Sequence, residues 1–528
     1  MTLRLKAEGG SGMMASMTKD TQDTFQMLEQ LARKGTPSPE TIQNRLNDDA
    51  AMARYVVELD DLRADFSRQS VTDEVWDILT GWGQTMLEKR DAMLQGEVVN
   101  PSEQRPALHT WLRDPEKDFA KENVAAMSAM AERILALGVE DVIAIGIGGS
   151  YLGPATVVEA LSPFQQGPDI HFVSNLDPSH LDDVLAMLNP VTTAVIGISK
   201  TFTTLETCVN FDEARKWLDR NGVPSSERSF AVTADIEQAQ KAGLPEDNIL
   251  KMDESIGGRF SLWSAVGLPI MVAQGEASFV DMLAGAEQMD KHFATAPVAE
   301  NMPILAALTR IWNTCFLGRS GQAIIPYDNR LAKLPAWMQQ LEMESNGKGH
   351  DINGDPVEIT TAPFVLGEPG SNAQHSFFQM FHQSQEITPV DFMAPLYPIS
   401  ILPDPEARLV DERHRKLIAQ MMAQADALAM GHTVTNAEPS AFPGGRPSTV
   451  MTWHETTPFA LGRIMAFYEH VTVSVGWLLN LNSFDQPGVE LGKTIATSYI
   501  NYLNADAGQG KITKGTRVVL DLLKDGPK

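Results

Sequence analysis

Cysteine is scarce in this chain of 528 residues, which contains only Cys208 and Cys315. Two cysteines are too few for the disulfide framework of a small secreted protein, so we expect a reducing compartment and predict a cytoplasmic location. Long apolar runs are also missing, because no stretch approaches the roughly 20 residues that a membrane-spanning helix needs. Residues 1–17 lack the hydrophobic core of a signal peptide and are predicted to form a disordered extension.

Basic residues are outnumbered by acidic ones. The chain has 42 Lys and Arg residues against 68 Asp and Glu residues, a formal net charge of −26. Such a surface repels nucleic acid and anionic membranes, and we predict neither as a partner. An anionic ligand would therefore need cations gathered in one local pocket.

The hydrophobic patterns predict an α/β fold with mainly parallel sheets. Apolar residues in residues 18–115 recur at helical spacing, which predicts an N-terminal helical region. From Val142 to about Ala231, β-rich runs alternate with helix-length segments, and a second alternating series begins after Asn301. This layout is typical of two αβα sandwiches. The predicted domains are residues 116–300 and 301–495, followed by a tail at 496–528 that completes a C-terminal helical arm.

Two transitions from a strand to a helix are candidate anion sites. Residues 194–207 read A-V-I-G-I-S-K-T-F-T-T-L-E-T, so an apolar run ends abruptly at small hydroxyl residues and Lys200. Free backbone N–H groups at a helix N-terminus bind anions, although such a stretch can equally serve only to cap the helix. A second run, residues 142–147, leads into Gly148, Gly149 and Ser150 about fifty residues upstream. Two such turns in one series could bind the same ligand.

Several segments resemble known nucleotide-binding or metal-binding motifs but do not match them fully. Gly146-x-Gly148-Gly149 follows a strand as a dinucleotide motif does, but Tyr151 occupies the position of the last glycine. The segment from Gly488 to Thr494 is one residue shorter than a P-loop and carries an acidic residue where phosphates would lie. The eleven histidines show no metal-ligand spacing. We therefore predict no metal and no cofactor.

Three polar segments remain as candidates for chemistry. His375 lies on a glycine-broken loop before an apolar helix, where it is placed to face a cleft. Glu344 lies at the end of a predicted helix that also carries Gln340. Arg259 follows two glycines in an aromatic setting.

These segments resemble the phosphoglucose isomerase family, whose members interconvert glucose 6-phosphate and fructose 6-phosphate. The resemblance covers residues from about 104 to 494 and rests on five blocks in the family's order: G-I-G-G-S; S-K-T-F-T-T; G-G-R-F-S-L-W-S; M-E-S-N-G-K with E-P-G-S-N-A-Q-H; and F-D-Q-P-G-V-E-L-G-K. It implies two sandwich domains of the sugar-isomerase type and no cofactor. It also implies a homodimer with shared active sites, because the family's catalytic histidine reaches the site from the neighbouring subunit.

The resemblance also implies a role for each matching residue. Glu344 would be the base that moves a proton through a cis-enediol intermediate, and Arg259 would stabilise the negative charge of that intermediate. His375 and Lys493 would assist ring opening. The implied substrate-binding residues are Ser150, Ser199, Lys200, Thr201 and Thr204 for the phosphate, with Gly149, Gln340 and Gln486 lining the site.

Two alternatives from other classes remain open. A catalytically silent sugar-phosphate sensor would keep the hydroxyl residues of 199–204 but would not need Glu344, Arg259 and His375 together. A metal-dependent aldose isomerase that works by hydride shift would need a cluster of carboxylates and histidines. Turnover of fructose 6-phosphate in the presence of a chelator distinguishes all three.

Overall fold

The computed structural model describes residues 18–401, 412–432, 442–504 and 512–524. These residues divide into two compact units, one ending at Ser483 and one beginning at Phe484. The predicted extension, residues 1–17, lies outside the described residues. Among the helices that are described, none is both long enough and apolar enough to cross a membrane.

The N-terminal region is helical, as predicted, but it also contains short strands that the sequence reading missed. Its helices are Lys19–Lys34, Pro39–Leu46, Asp49–Ala53, Asp73–Gly83 and Leu87–Leu94. Its strands are β1 (Val56–Leu59), β2 (Leu62–Asp65), β3 (Val98–Asn100) and β4 (Arg105–Pro106). β1 and β2 form a tight antiparallel hairpin around Asp60, which has a positive φ of 53°. Strands of four residues or fewer are too short to show a clear alternation in the sequence.

The first central sheet consists of five parallel strands in the order β6-β5-β7-β8-β9. They are β5 (Asp141–Ile145), β6 (Asp169–Val173), β7 (Thr193–Ile198), β8 (Ser229–Thr233) and β9 (Ile249–Lys251). The structure confirms that the β-rich runs between Val142 and about Ala231 form strands, and it adds β9. All residues of β7 are buried, which explains its continuous apolar sequence.

The second sheet has six strands in the order β1-β2-β13-β12-β10-β11. Its C-terminal members are β10 (Gly321–Pro326), β11 (Phe364–Gly367), β12 (Val390–Pro395) and β13 (Ser448–Trp453). These four pair in parallel, whereas the N-terminal hairpin joins β13 in the antiparallel direction. The predicted α/β class with mainly parallel sheets is therefore confirmed.

Helices cover these sheets and connect their strands. From residue 118 to residue 483 the α-helices are Asp118–Leu135, Leu152–Ala160, Pro178–Met187, Leu205–Arg220, Ser225–Arg228, Ile236–Lys241, Leu268–Gln274, Glu276–Thr295, Met302–Ile311, Leu334–Met338, Gly370–Gln374, Phe378–Gln383, Glu412–Met430 and Pro458–Leu478. Two π-helical turns, Trp312–Phe316 and Gln339–Glu344, extend two of them. The second unit contains Glu490–Leu503 and Lys514–Lys524.

The helix Pro458–Leu478 lies in the core. Nearly every residue in it is buried, including Glu469 and His470. Glu469 accepts hydrogen bonds from the Trp263 indole at 3.0 Å and from Arg113, and His470 bonds to Asp290 at 2.6 Å. These partners satisfy polar groups that would otherwise be costly to bury.

Candidate active site

The two candidate anion-binding turns meet at the carboxyl end of the first sheet. β5 and β7 are neighbours there, and Gly146 follows one strand while Ser199 follows the other. A Cβ on Gly146 would lie 3.1 Å from the carbonyl oxygen of Ile198, so the two turns touch. The helix Leu205–Arg220 begins directly after the second turn, which confirms the predicted passage from strand to helix. This edge is where open parallel sheets bind ligands.

Hydroxyl groups are clustered in the anion loop, which we define as residues 199–204. The hydroxyls of Ser199 and Thr204 lie 3.1 Å apart, and those of Thr201 and Thr203 lie 2.7 Å apart. The Ser199 hydroxyl also accepts the N–H of Phe202, a residue with a positive φ of 50°. The loop is thus folded tightly on itself at the start of a helix.

Lys200 connects the anion loop to the segment that carries Arg259. Its ammonium group donates hydrogen bonds to the carbonyl oxygens of Glu254 at 2.8 Å and Ile256 at 3.2 Å. Burial lowers the pKa of Lys200, and this effect is opposed by the nearby Glu103 carboxylate. The lysine therefore brings a partly desolvated cation to the loop.

The glycine loop, residues 146–150, packs directly against the same segment. A Cβ on Gly149 would overlap the carbonyl oxygen of Gly258, so no other residue type fits there without a shift of the backbone. Gly148 has a φ of +60°, and a Cβ on it would lie 2.9 Å from Nε2 of Gln340. Ser150, the last residue of the loop, is half-buried. The glycines thus allow the loop to approach both Arg259 and Gln340 closely.

Glu344 is the carboxylate that contacts both Gln340 and Arg259. It ends the π-helical turn Gln339–Glu344, and its side chain is 24% exposed. Its Oε2 accepts a hydrogen bond from Nε2 of Gln340 at 3.0 Å and lies 3.5 Å from Nη1 of Arg259. π-helical turns are rare in proteins overall, but many of those that occur lie at functional sites. The carboxylate is therefore held by two neighbours but still reached by solvent.

Arg259 is buried and fixed in three directions. Its Nε donates to the Ser345 hydroxyl at 2.6 Å, its Nη2 donates to the Ser483 carbonyl at 2.5 Å, and its Nη1 faces Glu344. Its side chain is only 2% exposed. The rigid guanidinium suits this geometry, because its donors point in fixed directions. The guanidinium is therefore held in a fixed orientation.

The remaining predicted site residues belong to other parts of the chain. His375 follows the short helix Gly370–Gln374 and is exposed. In the second unit, Gln486 precedes a short turn of 3₁₀ helix and is exposed. Lys493 lies in the first turn of Glu490–Leu503 and forms an exposed ion pair with Glu490 at 2.8 Å.

The sequence did not predict the residues that support Arg259 and Glu344. Ser345 and Ser483 bind Arg259, while Glu342 and Asn346 lie buried on either side of Glu344 in the chain. The surrounding segment reads Q-Q-L-E-M-E-S-N-G, and nothing in this mostly polar run distinguishes these two residues from solvent-exposed ones. Across the part of the chain that the structure describes, no group of three or more His, Cys, Asp or Glu side chains is arranged to hold a metal ion.

Comparison with known proteins gives one consistent result. A family model described as phosphoglucose isomerase matches residues 65–520. The glucose-6-phosphate isomerase of Agrobacterium fabrum is 39% identical over 512 residues, which cover 89% of this chain and 93% of the relative. That of Ruegeria pomeroyi is 39% identical over 485 residues, covering 84% and 88%. The crystal structure of a glucose-6-phosphate isomerase from Chlamydia trachomatis matches with a TM-score of 0.84 and 30% identity, covering 95% of this chain and 98% of that one.

Proposed function

Because the chain belongs to the phosphoglucose isomerase family and interconverts glucose 6-phosphate and fructose 6-phosphate, we propose that the site around Glu344 performs this reaction by acid–base chemistry. The observation that carries the proposal is the pairing of a partly exposed carboxylate with a buried, immobile guanidinium 3.5 Å away. A base and a fixed cation are the two groups that proton transfer beside a carbonyl requires.

Glu344 acts as the base on the open-chain sugar. Its carboxylate removes the proton from C2 of glucose 6-phosphate, the electrons of that C–H bond form the C1=C2 bond, and the carbonyl electrons move to O1. The product of this step is a cis-enediolate. Return of the proton to C1, with transfer of the O2 proton to O1, forms the C2 carbonyl of fructose 6-phosphate. A positioned base typically contributes about 10²–10⁴ in rate.

Arg259 stabilises the enediolate. Negative charge develops on the sugar oxygens only as the proton leaves, so a fixed cation favours the intermediate over the neutral sugar. The three hydrogen-bonding directions of Arg259 are already set by Ser345, Ser483 and Glu344. Little reorganisation is then needed during the reaction.

The phosphate end of the sugar binds at the anion loop. Its hydroxyl groups, its position at a helix N-terminus and the adjoining glycine loop all support this assignment. The binding residues are Ser150, Ser199, Lys200, Thr201 and Thr204. Gly149, Gln340 and Gln486 line the remainder of the site.

Ring opening is assigned to His375 and Lys493, with His375 supplied by the second subunit of a homodimer. The exposure of His375 on its own protomer supports this sharing. The two sandwiches then act as domains 116–300 and 301–495. A cytoplasmic location is supported by the two free cysteines, which fit a reducing compartment.

A coupled assay in the presence of a chelator tests the function. We expect turnover of fructose 6-phosphate and glucose 6-phosphate with the chelator present, and mannose 6-phosphate measured alongside defines the specificity at C2. A complete lack of turnover would favour a sugar-phosphate sensor. Loss of turnover only in chelator would favour a metal-dependent isomerase.

A further inference from the structure

A second glutamate, Glu342, lies behind the site and has no part in the reaction described above. It is fully buried, and its Oε2 accepts hydrogen bonds from Nη1 of Arg310 at 2.8 Å and from the Thr472 hydroxyl at 3.0 Å. Its Oε1 accepts one from Nδ2 of Asn346 at 3.3 Å. Burial alone would lower the pKa of Arg310, but the neighbouring Glu342 and Asp391 carboxylates raise it. The arginine therefore remains charged beside Glu342.

Hydrogen bonds lead from this glutamate to Arg259. Asn346 accepts a hydrogen bond from the Ser483 hydroxyl at 2.7 Å, and the Ser483 carbonyl accepts one from Arg259 at 2.5 Å. Asn346 also donates to the Thr472 carbonyl at 2.9 Å, which fixes it to the central helix. The path from Glu342 to Arg259 thus passes through two side chains, both completely or almost completely buried.

The same glutamate also anchors the backbone that carries Glu344. Both residues belong to the π-helical turn Gln339–Glu344, whose wider winding is less favourable than an α-helix and needs outside support. Glu342 contacts Arg310 and Thr472 in the interior, while Glu344 contacts Gln340 and Arg259 and stays partly exposed. Glu342 is therefore connected to Glu344 through the backbone of the turn and to Arg259 through Asn346 and Ser483.

We propose that Glu342 and Asn346 are positioning residues for the isomerisation: Glu342 fixes the π-helical turn that presents Glu344, and Asn346 links that turn to Ser483 and so to Arg259. This inference rests on the proposed function, in which Glu344 and Arg259 act together. Neither positioning residue touches the sugar. Loss of their contacts would displace the base or the guanidinium, and a displacement of about 1 Å can cost about 10² in rate.

The first test compares two buried asparagines of similar structural importance. Asn346→Ala removes the link, whereas Asn248→Ala removes an asparagine that donates to the carbonyls of Ser226 at 3.1 Å and Ser229 at 3.0 Å. Ser229 begins β8, at the end of the sheet opposite the anion loop. Both variants should lower the melting temperature, because each leaves buried polar groups unpaired.

The expected difference is in catalysis. Asn346→Ala should lower kcat about tenfold or more, with KM for fructose 6-phosphate changed less than about twofold, because the base and cation are misplaced but the phosphate is still bound. Asn248→Ala should keep its kcat per folded enzyme. Equal kcat values for the two variants would overturn the inference, since the network would then serve only stability.

A milder pair covers the case in which Asn346→Ala does not fold. Thr472→Val keeps the shape of the side chain but removes the hydroxyl that holds Glu342, and Thr472→Ser restores a hydroxyl. We expect kcat to fall in the first and to recover in the second. Equal kcat in both would again overturn the positioning role.

Glu344→Gln, measured with the same substrate, distinguishes a wrong base assignment from a wrong positioning role. If this variant still exchanges the C2 proton at the normal rate, the base assignment is wrong. If it is inactive while Asn346→Ala and Thr472→Val keep full kcat, the base assignment stands and only the positioning inference fails.

Discussion

Glu342 and Glu344 lie two residues apart on one π-helical turn but have opposite surroundings. The side chain of Glu342 has no exposed surface and pairs with Arg310, whereas that of Glu344 is 24% exposed and lies 3.5 Å from Arg259. Because it is fully buried, Glu342 cannot contact a bound sugar. Glu344 retains access to solvent. Two identical carboxylates are thus assigned different roles by their surroundings alone.

Arg259→Lys should reduce catalysis although it keeps the positive charge. A lysine ammonium cannot reproduce the fixed donors that contact Ser345, Ser483 and Glu344. We expect kcat to fall about 10²–10³ with a smaller change in KM, measured by steady-state kinetics. Arg220→Lys, at an exposed arginine, is the control. Near-normal kcat in Arg259→Lys would mean that charge without geometry is enough.

Thr204→Val should weaken binding of the phosphate group. The substitution keeps the side-chain shape but removes a hydroxyl that lies 3.1 Å from that of Ser199. Because a hydrogen bond to a charged group is worth about 1.5–3 kcal/mol, KM should rise about tenfold or more, with kcat little changed. Thr192→Val, just before β7 at the far end of the sheet, is the matched control. Unchanged KM in Thr204→Val would place the phosphate elsewhere.

The buried His292 should make the folded protein less stable in mild acid. Burial, assisted by His470, lowers its pKa from 6.5 to about 4, and its Nε2 accepts the Met302 N–H at 3.0 Å. Above pH 6.5 this histidine is neutral in both states. Between pH 6.5 and 4 the unfolded chain binds a proton that the folded chain does not, so the free energy of unfolding falls, by at most about 3 kcal/mol from this residue.

The check is chemical denaturation as a function of pH. His292→Gln should show a shallower fall in stability than the parent protein between pH 6.5 and 4.5, because no imidazole remains to be protonated. His350→Gln, at an exposed histidine, should follow the parent curve. Parallel curves for the parent protein and His292→Gln would contradict the prediction.

Mixing two inactive variants tests the shared active site. In a heterodimer of Glu344→Gln and His375→Ala, one site receives both substitutions and the other receives neither. Random reassortment of subunits should therefore restore about a quarter of all sites. Heterodimers that form, as shown by tagged purification, but have no activity would indicate that His375 acts within its own subunit.

The sequence predicted the position of the anion loop better than the contacts that support Arg259 and Glu344. Strand and helix patterns located the anion loop, because a buried parallel strand such as β7 is continuously apolar and ends sharply at Ser199. The hairpin β1–β2 was missed because its pairing with β13 depends on residues almost 400 positions away. Glu342 and Asn346 were missed for the same reason, since their partners Arg310, Thr472 and Ser483 come from distant segments.

Solvent exchange of the C2 proton is the most direct measure of the role of Glu344. Glucose 6-phosphate is incubated in deuterated water with the parent protein, Glu344→Gln, or Glu358→Gln as an exposed control, and deuterium at C2 is followed by NMR. We expect exchange to fall by about 10²–10⁴ in Glu344→Gln alone, with binding of the sugar phosphate retained. Normal exchange in Glu344→Gln would contradict this expectation, because another group would then be removing the proton.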